Sequence, residues 1–163
     1  MRERRAWPLA LLLVAATGRP LGAQDFRFTP RFQPEVRVEG IVARYSGVAG
    51  MAGVNTAFGY YIRAGAAIGG GVVHGAAGAR QTWRADLAMR FLLDPFAEHR
   101  WGPYVGGGVT VRRDGASSTE AGVLLILGVE AARRPRWTPA IECALGQGAR
   151  VAVVLRQSRR NGR

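Results

Sequence analysis

The chain has no lysine, a single cysteine and two histidines among its 163 residues. Each scarcity closes a door. One cysteine, Cys143, cannot form an intramolecular disulfide. His74 and His99 are too few and too far apart for a metal cluster, and no cofactor is expected. The glycine runs 69–71 and 106–108 are followed by no Lys-Ser/Thr pair, so they are not phosphate loops. Acidic residues number 11 against 23 basic ones, all arginine, for a formal charge of +12. Such a balance attracts polyanions, anionic lipid headgroups included. Nucleic acid is not expected, because aromatic interleaving of the basic run 133–136 is limited to Trp137. Beyond residue 20 there is no run of ~18 apolar residues, so no membrane-spanning helix is available.

What the N-terminus does have is a secretory signal. Arg2, Arg4 and Arg5 precede an apolar stretch at 9–16, and Leu21-Gly22-Ala23 ends it in small residues. Residues 1–23 are therefore expected to direct Sec-type export and to be removed before Gln24. Removal takes four Arg and one Glu, leaving a formal charge of about +9. Residues 24–34 carry two prolines and no alternation, and are expected to form an irregular arm.

From Glu35 onward the hydrophobic period is two. The clearest stretch sets Trp83, Ala85, Leu87, Met89, Phe91 and Leu93 against Arg84, Asp86, Ala88, Arg90 and Leu92. Eight such segments are expected, at 35–45, 51–63, 65–74, 82–93, 103–112, 119–131, 137–145 and 149–156. Most approach the ~9–11 residues a tilted strand needs to cross a bilayer. The expected connectors are short: 46–50, 75–81, 113–118 (with the turn pair Asp114-Gly115) and 146–148 at one end, and a minimal turn at Ala64-Gly65, 94–102 and 132–136 at the other. Residues 157–163 form a basic tail. The fold class expected is all-β, an eight-stranded antiparallel up-and-down transmembrane β-barrel with short loops. Lipid cannot satisfy an open sheet edge, so a membrane form must close.

Alternation alone does not say which face points inward, but residue size does. Opposite the bulky apolar positions, the polar face mixes glycines with single large charged residues. Glycine weakens a solvated strand, whereas a narrow eight-stranded lumen has room for only a few large side chains. The polar face is therefore assigned to the interior. Its acids are Glu35, Glu39, Asp86, Glu120, Glu130 and Glu142. Its bases are Arg37, Arg63, Arg84, Arg90, Arg112, Arg150 and Arg156. The two sets nearly cancel, as a confined interior requires. Tyr60, Phe91, Phe96, Trp101 and Trp137 are expected near one end and Trp83 near the other, the placement of interfacial girdles. Cys143 alternates with Ile141 and Leu145 and is expected as a small hydrophobe.

Across 35–156 the chain resembles the small eight-stranded outer-membrane barrels of the OmpA and OmpX type. The segment Trp101-Gly-Pro-Tyr-Val-Gly-Gly-Gly-Val109 is similar to strands common in that group. The resemblance implies a barrel placed in the cell outer membrane by the outer-membrane insertion machinery, in contact with outer-membrane lipids and lipopolysaccharide. The last segment departs from the pattern: Val151-Ala-Val-Val-Leu155 is followed by residues 156–163 with no aromatic.

The function expected is structural or interactive, with a side-chain-filled lumen, no catalysis and a monomeric state. Two other classes stay open at this point. A secreted soluble barrel would turn its apolar face inward around an apolar ligand. A lipid-modifying hydrolase would draw on His74 with Ser46, Ser117, Ser118 or Glu120 across the loops.

Overall fold

The computed structural model describes residues 32–42, 46–75, 78–96, 100–115, 119–132 and 136–157. The expected signal segment, the loop residues Ser117 and Ser118, and His99 lie outside them. Eight strands follow in order: β1 Phe32–Val42, β2 Ser46–Phe58, β3 Ile62–Gly75, β4 Gly78–Leu92, β5 Gly102–Asp114, β6 Thr119–Glu130, β7 Trp137–Leu145 and β8 Ala149–Gln157. Each pairs antiparallel with its sequence neighbours, and β8 pairs back onto β1 from Glu35↔Arg156 to Val42↔Ala149, so the barrel is closed. The expected class and strand count hold.

Several boundaries move outward. Residues 46–50, 78–81 and 113–114, expected as connectors, are strand. The strands outlast their alternating apolar residues because ladder hydrogen bonds do not depend on side-chain polarity. The minimal turn falls at 59–61 rather than Ala64-Gly65, since Gly59 takes a φ of 74° and reverses the chain there. Ala64 and Gly65 lie inside β3. The arm expected at 24–34 is corrected at its end, where Phe32 to Pro34 belong to β1 and pair with Val54 to Thr56. Gln157, expected in the tail, closes β8 against Trp137.

The faces sort as residue size indicated. Leu87, Met89, Val123, Leu125 and Val153 are exposed on the outside, Val123 by 70 %. Arg84, Asp86, Arg90 and Glu142 are buried inside, Glu142 at 2 %. The interior is not uniformly polar. Ile41, Ala49 and Val73 form an apolar cluster toward the end bearing the β1–β2 and β3–β4 connections. Ala88, Tyr104, Leu124, Ile126, Ala140, Ala152 and Val154 form a second toward the termini. Ion pairs lie among them. The interior is thus not the continuous apolar lining around a ligand cavity that a soluble apolar-ligand barrel would present.

Candidate functional site: the lumenal charge network

The network is assembled by alternation within strands and by closure between them. On β1 the odd positions Glu35, Arg37 and Glu39 face inward; on β4 the even positions Arg84, Asp86 and Arg90 do so. Glu142 on β7 is its densest node. It accepts from Arg90 Nε at 3.0 Å, from the Tyr104 hydroxyl at 2.8 Å and from Arg156. Arg37 stands 3.8 Å away. Arg156 also reaches Glu35 at 3.2 Å and Glu130 at 3.0 Å, and its guanidinium lies 5.1 Å from the centre of the Tyr104 ring. Arg63 closes this end on Glu130 at 2.5 Å. Asn55 donates to Glu35 at 3.4 Å.

Toward the other end the pairs continue. Arg37 bonds Glu35 and stands 3.7 Å from Asp86. Arg150 meets Asp86 at 3.1 Å and Glu39 at 3.6 Å, and Arg84 bonds Glu39. Arg112 donates to Asp114, through Nε at 2.7 Å, and to the Gln147 carbonyl at 3.3 Å. Arg84 Nε and Nη2 and Arg150 Nε and Nη2 have no protein partner, while the carboxylate of Glu142 is surrounded.

Eleven of the thirteen expected lumenal residues thus join one ladder, and Arg112 pairs with Asp114 at its mouth end. The exception is Glu120. It holds the inward phase of β6 and pairs in register with Arg112, but it is exposed at the barrel mouth. The first residues of β6 are flanked by β5 alone, because β7 pairs β6 only from Leu125 to Glu130. Asp114 supplies the carboxylate there instead. Sequence reasoning missed it by reading Asp114-Gly115 purely as a turn. Its even phase on β5, shared with Arg112 and Thr110, was the available signal. Tyr104 holds the same inward phase of β5 as Arg112; it is 1 % exposed and bridges Glu142 and Arg156.

The hydrolase residues are only partly united. Ser46 and His74 are register partners across β2 and β3, on the outward face at the mouth. Among the described residues no hydrogen bond joins them. Among the described residues no carboxylate is hydrogen-bonded or ion-paired to His74, and Glu120 is on β6. No group of His, Cys, Asp and Glu among the described residues could hold a metal. Cys143 is exposed on the outer wall. The aromatics divide as expected, with Tyr60, Tyr61, Phe91 and Phe96 in mutual contact at the termini end and Trp83 toward the mouth.

A closed eight-stranded barrel with a charged interior and an apolar exterior is the architecture of the small outer-membrane barrels of the OmpA type. Two solved members of that class superpose on this chain. Neisserial surface protein A aligns with a TM-score of 0.59 at 12 % identity, covering 77 % of this chain and 94 % of its own. The N-terminal β-barrel domain of Pseudomonas aeruginosa OprF aligns at 0.57 and 10 % identity, covering 78 % and 99 %. The likeness is one of fold. The chain matches no protein-family model and no curated protein.

Proposed function

We propose that the protein is a non-catalytic barrel of the cell outer membrane, with a structural or interaction role and a lumen closed by its own side chains. One observation carries the reading: charged side chains such as Glu35, Arg84, Asp86, Arg90 and Glu142 are buried while large apolar ones such as Leu87, Val123 and Leu125 are exposed. Water would drive the opposite arrangement, because exposed apolar area costs roughly 25 cal/mol per Å². A hydrocarbon surround removes that cost and penalises an outward charge instead. The ion-pair ladder fits the reading further, since an eight-stranded lumen is narrow enough for side chains to fill. Export would follow the signal at 1–23, and folding would proceed on the outer-membrane insertion machinery, giving a monomer.

The test is location. Expressed with its signal in a didermal host, the protein should partition with the outer membrane and change gel mobility on heating. Recovery in the soluble periplasmic fraction would overturn the assignment.

A further inference from the structure

Two arginines of the lumen each leave one edge of the guanidinium unused. Arg84 on β4 and Arg150 on β8 are 4 % and 2 % exposed. Each bonds a carboxylate through Nη1, Arg84 that of Glu39 and Arg150 that of Asp86 at 3.1 Å. Nε and Nη2, which together form the other edge, are buried in both residues and have no partner among the described residues. That edge is a fork with which arginine grips an anion through two parallel N–H bonds. The two forks belong to one place. Both guanidinium groups reach Glu39, Arg150 at 3.6 Å, so one carboxylate serves two cations. Arg112 is the register partner of Arg84 across β4 and β5, which brings a third cation to the same level of the barrel.

The charge balance points the same way. Among the described residues, six lumenal carboxylates answer seven arginines, Asp114 having replaced Glu120. Asp86 is further divided, because Arg37 stands 3.7 Å from it. The acceptors left without a partner beside the two forks are Asp86 Oδ1 and, opposite it in register, the Thr110 hydroxyl. Water can accept from a guanidinium, but it brings no charge to an interior that holds one cation too many.

Gln147 adds a polar cap. It sits in the β7–β8 turn with a φ of 57°, a left-handed conformation that the glycines on either side of it would hold at less cost. Its carbonyl accepts from Arg112 Nη1 at 3.3 Å. Its side chain lies against Gly122, whose Cβ would meet Gln147 Cγ at 3.2 Å. The amide is thus folded over the barrel mouth, and both of its polar atoms are buried without a partner. Backbone strain of this kind clusters at binding sites, where the surroundings hold it in place.

We propose that the mouth half of the lumen binds one small monovalent inorganic anion, of halide size, between the free forks of Arg84 and Arg150, with the Gln147 amide N–H closing over it. The ion supplies the negative charge that the carboxylates leave short and an acceptor for four guanidinium nitrogens that have none. A single charge matches the surplus of one. The inference concerns the interior alone and does not depend on which way the barrel sits in a membrane.

The experiment uses the full chain refolded in detergent. Crystals soaked in bromide and read by anomalous diffraction should show one buried peak within hydrogen-bonding distance of both guanidinium groups. Urea unfolding is followed in parallel at constant ionic strength, with chloride exchanged for gluconate, an anion too large to enter. Chloride should lower the unfolding constant of wild type roughly tenfold, as a ligand of the folded state does at about ten times its dissociation constant. Arg84→Lys keeps the charge beside Glu39 and removes the fork, and should abolish the chloride response. Arg63→Lys, the same change on the Glu130 pair at the other end, should retain it. Gln147→Gly, which the left-handed turn accommodates, should weaken the response severalfold and keeps the test open if Arg84→Lys does not fold. Bromide found only on the outer surface would overturn the proposal, as would a wild-type unfolding constant indifferent to chloride. Equal chloride responses in Arg84→Lys and Arg63→Lys would overturn it too.

Discussion

Glu142 illustrates how a buried charge is tolerated in this lumen. Its partners come from three strands, Arg90 on β4, Tyr104 on β5 and Arg156 on β8. Glu142→Gln keeps the shape and removes the charge, leaving two guanidinium groups without their main anion. Breaking a buried pair from one side costs about 3–5 kcal/mol. Urea unfolding from lipid vesicles should report a loss of that size. Asp94→Asn, whose partner Arg100 is exposed, should cost under about 1 kcal/mol. Similar losses for both would mean that the lumen is wet enough to screen its charges. Gly128 tests the same corner sterically. A Cβ there would overlap the Tyr104 ring, which therefore needs glycine opposite. Gly128→Ala should destabilise by about 1–3 kcal/mol, as overpacking does. An unchanged unfolding midpoint would show that Tyr104 can swing aside without loss.

At the scale of the strand, one residue of phase separates lipid from lumen. On β6, Leu125 is 57 % exposed on the outer wall, and Leu124 is 1 % exposed among Tyr104, Ile126 and Ala152. Leu125→Arg should cost about 2–4 kcal/mol if it lies near the bilayer midplane. Leu124→Arg places its guanidinium inside, beside an ion-pair network, where it must pair or clash. Vesicle folding assays with heated and unheated gels should separate the two variants, and identical tolerance of both would contradict the inward–outward assignment of β6. Strand length follows a different rule from phase. β3 and β4 reach 14 and 15 residues, beyond the segments their alternation suggests. The alternation predicts the middle of each strand, where side chains must be sorted. Near the mouth, at Ser46–Gly50 and Gly78–Gln81, the backbone continues in register although nothing there sorts by polarity.

The molecule as a whole is a closed barrel with charged and apolar side chains turned into its lumen. Its ladder of ion pairs runs from Arg63–Glu130 near the termini to Arg112–Asp114 near the mouth, with apolar clusters on the way. In planar bilayers the purified protein should therefore show no steady porin-like conductance, and reproducible open-channel steps would sink the plugged-lumen argument. The protein should also release no fatty acid from phospholipid or lipopolysaccharide. Ser46 and His74 are neighbours in register, but among the described residues no orienting acid, the third part of the usual triad, is bonded to them. Deacylation that disappears in His74→Ala would reverse the non-catalytic assignment and identify the base.

The sequence alone determined the strand count, the barrel class and the two chemistries of its faces, because a period of two is a local property of the chain. It also carried the direction of the faces. Glycine between large charged residues makes sense only in a narrow interior, and Glu35, Arg84 and Glu142 are indeed buried there. The tertiary structure decided who meets whom. Arg90 and Glu142 are 52 residues apart, and Arg156 and Glu35 are 121 apart. Only the register of each ladder and the closure of β8 on β1 bring them within reach. The same geometry moved Glu120 to the open mouth and gave its place to Asp114, since how far β7 covers β6 is not written in either strand's pattern. It also created a shallow apolar depression on the outer wall over β2 to β5. Ala52, Ala66 and Ala85 lie on three different strands, and their small side chains become one surface only when adjacent strands align them.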